Sequence, residues 1–338
     1  MSKYEVYERL FKNNSMESIE EFSHFNFIHG KHYKPFNCAL IMAQRPGAIF
    51  VQTENAWNKM GCELKPEANP IVIMQVGGPV TLVYDMEDVY SVNEQFAEFK
   101  KAEAKPGDRI KLNEYTVQEW VTRVNKKEIR VAFSRMGERR SGKAETLNSP
   151  IQVIYTEFVK GVPKEKSVMT NHQITINENL SPHEKVLTLF HELGHIYCGH
   201  FNGKCTKENG IPVYRFGRED AELERLSEEK QKLNEQMLNI EYNGNDTPEN
   251  NKKSKEYIKL AETYADFEKL EKDLSHKMFC KQEYEAQLVC KILCDRNNFA
   301  DDISAEYLKA HTVNGLLPDI DIYSVMDAVE KIAGILQI

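Results

Sequence analysis

The sequence predicts an α+β protein with a small mixed sheet packed against helices, an N-terminal α+β part and a long helical-hairpin insertion. Short β-branched runs alternate with segments of helical periodicity, which indicates that strands and helices share the core. Residues 221–274 are highly charged, with apolar residues at three- and four-residue steps, as is typical of paired helices. With 338 residues, of which 41% are hydrophobic, the chain can bury a substantial core.

The first hundred residues predict helices followed by a β-hairpin. Pro35 suits the first turn of a helix that should stop near Arg45, just before Pro46 and Gly47. Residues 71–76 and 80–84 are β-branched runs joined by Gly-Gly-Pro, so they predict two strands with a tight connection. The Lys-Pro-Gly-Asp sequence at 105–108 indicates a boundary between an N-terminal domain, 1–110, and a second domain, 111–338.

The second domain should begin with a helix and a group of strands. Residues 115–124 have helical periodicity, whereas 129–133 and 151–155 are typical of strands. The basic, polar segment between these two strands predicts a mobile loop. Residues 173–177 alternate apolar and polar side chains, which predicts a strand with one buried face that we expect at the edge of the sheet.

A strong helix-start signal follows this strand. Ser181 can cap the helix, Pro182 fits its first turn, and Glu184 completes a capping box. Apolar residues then cover a broad surface, so we expect a buried helix that ends near Gly199.

The C-terminal part predicts helices. The apolar steps within 221–274 indicate an antiparallel hairpin whose turn is the polar stretch 243–248. This arm could be a solvated structural element or could dock a partner or gate substrate. Further helices are expected at about 279–296, 305–310 and 322–336.

Charge and cysteine content narrow the class of protein. The net charge of −8 disfavours general nucleic-acid binding, although the basic stretch from Arg123 to Lys143 could attract a phosphate backbone if it is not simply a solvated loop. Seven scattered cysteines without a CxxC pair predict reduced thiols. Without a membrane-spanning apolar run or a secretory signal at the start, the expected location is cytoplasmic.

His191, Glu192 and His195 carry the clearest chemical signal. Histidines four residues apart project from one helix face and can take two corners of a tetrahedral zinc site. Zinc lowers the pKa of a bound water to about 7, and a neighbouring carboxylate such as Glu192 can accept its proton. Glycine inside a helix costs stability, so Gly194 indicates that another element packs closely at this position.

A catalytic zinc needs a third protein ligand. Glu285 is the favoured candidate, because an acid on an apolar helix requires a partner. Glu283 lies two residues away on another face and competes with it, and the acids at 219, 220 and 222 are more distant alternatives. His200 has the wrong spacing, so we expect it outside the ligand set or at the surface.

These residues resemble the ImmA/IrrE family of metallopeptidases. The resemblance is carried by Ile-Thr-Ile-Asn at 174–177, Leu-Phe-His-Glu-Leu-Gly-His at 189–195 and Glu-Tyr-Glu-Ala at 283–286. It implies a zincin-like fold in which His191, His195 and Glu285 bind Zn²⁺ and Glu192 is the catalytic base. It also implies an endopeptidase acting on a protein, with transcriptional repressors among the family's substrates.

The N-terminal part resembles ArdC-type antirestriction proteins of mobile elements, through residues 37–48, 57–61, 69–73 and 78–80. In that family this domain is associated with single-stranded DNA. The resemblance implies an alternative function, a DNA-binding antirestriction or phage-defence protein with a structural or vestigial zinc site. DNA would bind the N-terminal domain or the basic stretch.

Overall fold

A computed structural model gives the fold of the chain. It describes residues 3–11, 16–75, 80–90, 92–103, 111–137, 140–159, 162–201, 204–208, 211–215, 218–240, 248–299, 307–308, 310–312 and 318–338. The helices are α1 (Lys3–Leu10), α2 (Met16–His29), α3 (Pro35–Gln44), α4 (Glu54–Lys59), α5 (Glu94–Glu103), α6 (Glu114–Asn125), α7 (Pro182–Cys198), α8 (Arg218–Leu238), α9 (Pro248–Arg296) and α10 (Ile322–Leu336). The strands are β1 (Val51–Gln52), β2 (Glu63–Leu64), β3 (Ile71–Met74), β4 (Val80–Asp85), β5 (Val89–Tyr90), β6 (Ile129–Ser134), β7 (Gly142–Val159), β8 (Val162–Asn177), β9 (Lys204–Glu208) and β10 (Ile211–Arg215).

This mixture of helices and small sheets confirms the α+β class. The chain divides into a first compact unit, residues 1–201, 284–310 and 319–338, and a second, residues 202–283 and 311–318. The boundary predicted at 105–108 lies outside the described residues, so the division into domains 1–110 and 111–338 stays a prediction.

The N-terminal elements follow the sequence prediction closely. Pro35 opens α3, which ends at Gln44 with Arg45 as its C-cap. β3 and β4 pair antiparallel, and their connection at 76–79 lies outside the described residues. The sheet has the order β1-β4-β3, so β3 is an edge strand of the described sheet.

Two side-chain amides of α3 close the outer edge of β3. Asn37 donates to the Met74 carbonyl and accepts from its backbone N–H, both at 2.9 Å. Gln44 makes the same pair of bonds with Val72, also at 2.9 Å. These amides occupy the backbone groups that an added strand would need, which protects this edge from further pairing.

The central sheet differs from the prediction in two ways. Its order is β6-β8-β7, with β6 parallel and β7 antiparallel to β8, so residues 173–177 lie in the middle strand. The prediction of an edge strand there was wrong, because alternation reports which face is buried and not which neighbours are paired. The predicted loop between 133 and 151 is also shorter, since β7 already begins at Gly142.

The core of the first unit lies between this sheet and the helices. Ile174 and Ile176 of β8 and Leu189, Phe190 and Leu193 of α7 have no exposed surface. The ring of Trp120 in α6 stacks on Phe190 with centroids 5.4 Å apart. Packing from both sides therefore fixes the position of α7.

The second unit contains the β9–β10 hairpin, α8 and most of α9. Lys230 of α8 forms an ion pair with Glu271 of α9 at 2.5 Å, and its ammonium lies over the Tyr264 ring. The predicted turn of this arm falls largely in 241–247, outside the described residues. The expected break between a helix ending at 274 and one starting at 279 was wrong: α9 is continuous, and residues 249–296 contain neither Gly nor Pro to interrupt it.

The last helix is α10, as predicted for residues 322–336. Of the short helix expected at 305–310, residues 307, 308 and 310 are helical, and the other three lie outside the described residues. None of the described helices combines the length and the apolar character that a bilayer-spanning segment requires.

Candidate metal centre

The helix that carries the candidate ligands begins with a complete capping box. The Ser181 hydroxyl accepts from the Glu184 backbone N–H, and the Glu184 carboxylate accepts from the Ser181 hydroxyl and backbone N–H at 2.7 and 2.8 Å. The bonds from Ser181 lower the pKa of Glu184. The helix ends at Cys198, and its C-cap is Gly199, whose φ of +83° lies in the left-handed region that glycine tolerates best. Both predicted ends are confirmed.

His191 and His195 face each other one turn apart on α7. Their Nε2 atoms are 3.1 Å apart, and His195 is 8% exposed. In a tetrahedral site with Zn–N distances near 2.05 Å, two nitrogen ligands lie about 3.3 Å from one another. The two imidazoles therefore fit a shared zinc ion.

The other ring nitrogen of His191 contacts α9. Its Nδ1 lies 2.9 Å from Oε1 of Gln287, so an Nδ1–H can donate to the amide oxygen and leave Nε2 unprotonated. Ligating histidines usually make such a bond through the nitrogen that does not bind metal. Gln287, buried on an apolar helix, is a site residue that the sequence argument missed, and its burial as a polar side chain was the available signal.

His195 makes the corresponding contact with another histidine. Its Nδ1 lies 2.9 Å from Nδ1 of His200, whose Nε2 is 3.0 Å from Oε2 of Glu285. The second carboxylate oxygen of Glu285 accepts from the Asp321 backbone N–H at 2.6 Å. His200 is thus a buried neighbour of His195 and does not lie at the surface.

Glu283 is an acid that is grouped with both histidines as a potential ligand. Within the described part of the chain, His191, His195 and Glu283 form a group whose ligand atoms are all within 4.8 Å of one another. Both oxygens of Glu285 have the partners described above. Glu285 as third ligand stays a prediction, and Glu283 is the alternative that this geometry favours.

Glu192 lies beside the first strand residue of β7. It is 8% exposed, and a Cβ added to Gly142 would lie 3.4 Å from its Oε1. The same Cβ would be 2.4 Å from Cγ2 of Thr188 and 3.0 Å from the Thr175 carbonyl oxygen. Glycine at 142 therefore lets the strand approach the helix, a role that the sequence alone did not indicate.

Three basic side chains of the stretch from Arg123 to Lys143 form ion pairs with acids. Arg123 pairs with Glu119, Arg135 with Glu178 and Lys143 with Glu145, at 2.6 to 2.8 Å. These acids offset part of the positive charge, and Arg139 lies outside the described residues. DNA binding by this stretch stays a prediction.

Comparison with protein families gives a match to part of the chain. Residues 147–228, a quarter of the chain, match the model of peptidase family M78, described as an IrrE N-terminal-like domain. The match includes His191, Glu192, His195 and His200 but ends before Glu283. No curated protein and no solved structure matches the chain.

The matched segment is therefore similar to a peptidase domain of a metallopeptidase family. This supports the ImmA/IrrE-type resemblance stated from the sequence and, with it, the need for a metal ion. The match does not extend to the N-terminal part, so the resemblance to ArdC-type proteins stays a prediction.

Proposed function

We propose that the protein is a zinc-dependent endopeptidase that hydrolyses a peptide bond in a protein substrate. The observation that carries the proposal is the 3.1 Å approach of the His191 and His195 Nε2 atoms, with Glu192 on the same helix. The Nε2 atoms of the two imidazoles converge, and each Nδ1 atom has a hydrogen-bond partner. This arrangement is suited to holding zinc. The match to a peptidase family gives independent support.

A carboxylate of α9 would complete the protein ligands. Glu283 is favoured over Glu285, because it is grouped with both histidines whereas the Glu285 oxygens are bonded to His200 and Asp321. Helix geometry agrees with this choice, since Glu283 is four residues before Gln287 and shares the face from which Gln287 reaches His191. Two histidines and one glutamate leave a coordination position for water or substrate.

Bound zinc would polarise the scissile carbonyl and lower the pKa of a water molecule to about 7. Glu192 would accept a proton from the attacking water as its oxygen forms the new bond to the carbonyl carbon. The same carboxylic acid would then donate that proton to the amide nitrogen as the C–N bond breaks. Burial of Glu192 excludes bulk water from this exchange and strengthens its interactions with charge.

The edge of β7 is the part of the sheet best suited to align the substrate. β7 is an outer strand of the described sheet, and Gly142 brings its first residues beside Glu192. An extended peptide paired with residues 142–146 through main-chain hydrogen bonds would pass close to the candidate base. This replaces the expectation that residues 173–177 perform the same task.

A transcriptional repressor as substrate and single-stranded DNA as a partner of the N-terminal part are further proposals. They rest on the family resemblances alone, and they are separable from peptidase chemistry by experiment. DNA binding should weaken steeply with salt, because phosphate contacts release counterions.

The test compares the wild type with Glu192→Gln on a diverse peptide library, with cleavage products identified by mass spectrometry. We expect both proteins to bind one zinc ion and only the wild type to cleave. Glu178→Gln is the control, since Glu178 is an exposed acid paired with Arg135 outside the site.

Cleavage by Glu192→Gln at the wild-type rate would contradict the proposal. A wild type that binds zinc, cleaves no peptide and binds single-stranded oligonucleotides with steep salt dependence would favour the DNA-binding alternative. Zinc content of Glu283→Ala, which we expect to be near zero, tests the third ligand separately.

A further inference from the structure

A continuous line of hydrogen-bonding groups leads away from His195 on the side opposite His191. His195 Nδ1 contacts His200 Nδ1 at 2.9 Å, His200 Nε2 contacts Glu285 Oε2 at 3.0 Å, and Glu285 Oε1 accepts from the Asp321 N–H at 2.6 Å. The four groups come from the end of α7, the residue after its C-cap, the C-terminal third of α9 and the N-cap of α10.

One arrangement of protons satisfies all of these contacts when His195 presents an unprotonated Nε2 to a metal. His195 then carries its proton on Nδ1 and donates to His200 Nδ1, which must be an acceptor. The His200 proton is therefore on Nε2 and is donated to Glu285. The ionised carboxylate of Glu285 accepts at both oxygens, so each contact in the line pairs one donor with one acceptor.

Burial makes this line energetically important. The His200 and Glu285 side chains are 6% and 5% exposed. At such buried positions charges are screened less than in water. A buried carboxylate needs hydrogen bonds, and Glu285 finds one at the N-terminus of α10, where backbone N–H groups favour negative charge.

The two histidines are supported differently. His191 donates to the neutral amide of Gln287, whereas His195 is connected through His200 to the carboxylate of Glu285. A carboxylate behind a ligating histidine fixes its tautomer and ring orientation and raises its basicity. Here the imidazole of His200 connects the ring of His195 to the carboxylate of Glu285.

We infer that His200 and Glu285 are positioning residues that act on the metal through His195, and that Glu285 is not itself a zinc ligand. The inference rests on the proposed zinc site and assigns a role to two residues within it. It explains why an acid is buried on the apolar face of α9 although Glu283 is the one grouped with the ligand nitrogens.

The test measures zinc affinity by competition with a chromophoric chelator, together with the visible absorption of the Co²⁺-substituted protein. His200→Ala and Glu285→Gln should still bind one metal ion at saturation, with zinc affinity reduced about 10- to 100-fold. Their Co²⁺ spectra should be shifted from that of the wild type, because the His195 ring is no longer fixed. A purely structural effect on folding would not shift the spectrum of the saturated protein.

Ser324→Ala is the matched control. The Ser324 hydroxyl donates to the Asp321 side chain at 3.0 Å, so its loss loosens the same helix N-terminus without removing a member of the line. We expect wild-type zinc affinity and Co²⁺ spectrum from this variant.

Unchanged affinity and spectra in both His200→Ala and Glu285→Gln would overturn the inference while leaving the zinc site intact. A Glu285→Ala protein that binds no metal even at millimolar zinc would also overturn it, because Glu285 would then be a ligand. A wild type that binds no zinc would instead contradict the proposed function.

Discussion

Gly194 of α7 lies directly against the backbone of Ala286 in α9. A Cβ at position 194 would be 3.0 Å from both the Cα and the carbonyl oxygen of Ala286. This close approach brings Gln287, the next residue of α9, within hydrogen-bonding distance of His191. The glycine that a helix interior normally disfavours is therefore the residue that lets these two helices approach closely at the candidate metal centre.

Gly194→Val should weaken both stability and metal binding. Its side chain must push α9 away from α7, and we expect a loss of about 1–3 kcal/mol in the free energy of unfolding. Zinc retention should fall as well, because Gln287 moves with Ala286. Urea denaturation of the metal-free protein and zinc analysis measure the two effects.

Gly334→Ala provides the comparison. Gly334 is exposed on α10, and nothing lies within 4 Å of the position of an added Cβ. This substitution should stabilise the protein by roughly 0.5–1 kcal/mol through helix propensity. Equal stability changes at positions 194 and 334 would contradict the packing role of Gly194.

Gly142→Ala should lower peptidase activity more than stability alone explains. Its Cβ would collide with Thr188 and the Thr175 carbonyl, so β7 must move away from Glu192. Misplacing a substrate-aligning strand by about 1 Å can cost roughly 100-fold in rate. We expect a 10- to 100-fold loss of cleavage rate at saturating zinc.

Two further variants test the cause of that loss. Adding Thr188→Ala removes the nearest clash, which we expect to restore part of the rate. Gly137→Ala, at a site with nothing within 4 Å, should be active. Full activity of Gly142→Ala would rule out a role for this strand position in catalysis.

The capping box predicts a pH-dependent contribution to stability. Ser181→Ala should cost about 1 kcal/mol by removing the acceptor at the start of α7. The pKa of Glu184 is lowered by bonds from Ser181, so its contribution is present above the unfolded pKa of about 4.3 and is lost as the pH falls through the folded value.

Thermal unfolding between pH 7 and pH 3 checks this sign. The difference in Tm between wild type and Glu184→Gln should be largest near neutrality and should shrink on acidification. A difference that grows toward pH 3 would be incompatible with the ionised capping box.

Arg296→Met should be strongly destabilising. Arg296 is 7% exposed and donates to the carbonyls of Gly30 and Tyr33 and to the Asn26 side chain, at 2.7 to 2.8 Å. Each buried acceptor left without a donor costs about 1–3 kcal/mol, so we expect a total above about 3 kcal/mol.

Lys291→Met on the same helix is the control for this variant. Lys291 pairs with Asp295 at 3.0 Å with partial exposure, and loss of such a pair should cost less than about 0.5 kcal/mol. Chemical denaturation gives both values. Similar losses at positions 291 and 296 would show that the buried acceptors do not need Arg296.

The sequence determined the local parts of this protein. Ser181, Pro182 and Glu184 specify where α7 starts, Gly199 where it ends, and the four-residue spacing places His191 and His195 on one face. These features depend on neighbours along the chain, whose geometry in a helix is fixed by backbone hydrogen bonding. The same reasoning predicted α3, α6, α10 and the β3–β4 pair.

Only the tertiary structure decided which distant residues meet. The alternation in residues 173–177 could not reveal that β8 has a partner on each side, and the spacing of Glu283 and Glu285 could not say which acid approaches the histidines. The partnership of His200 with Glu285 and the approach of Gly142 to Glu192 likewise join segments far apart in sequence. Such contacts depend on how whole elements pack, and local periodicity carries no information about that.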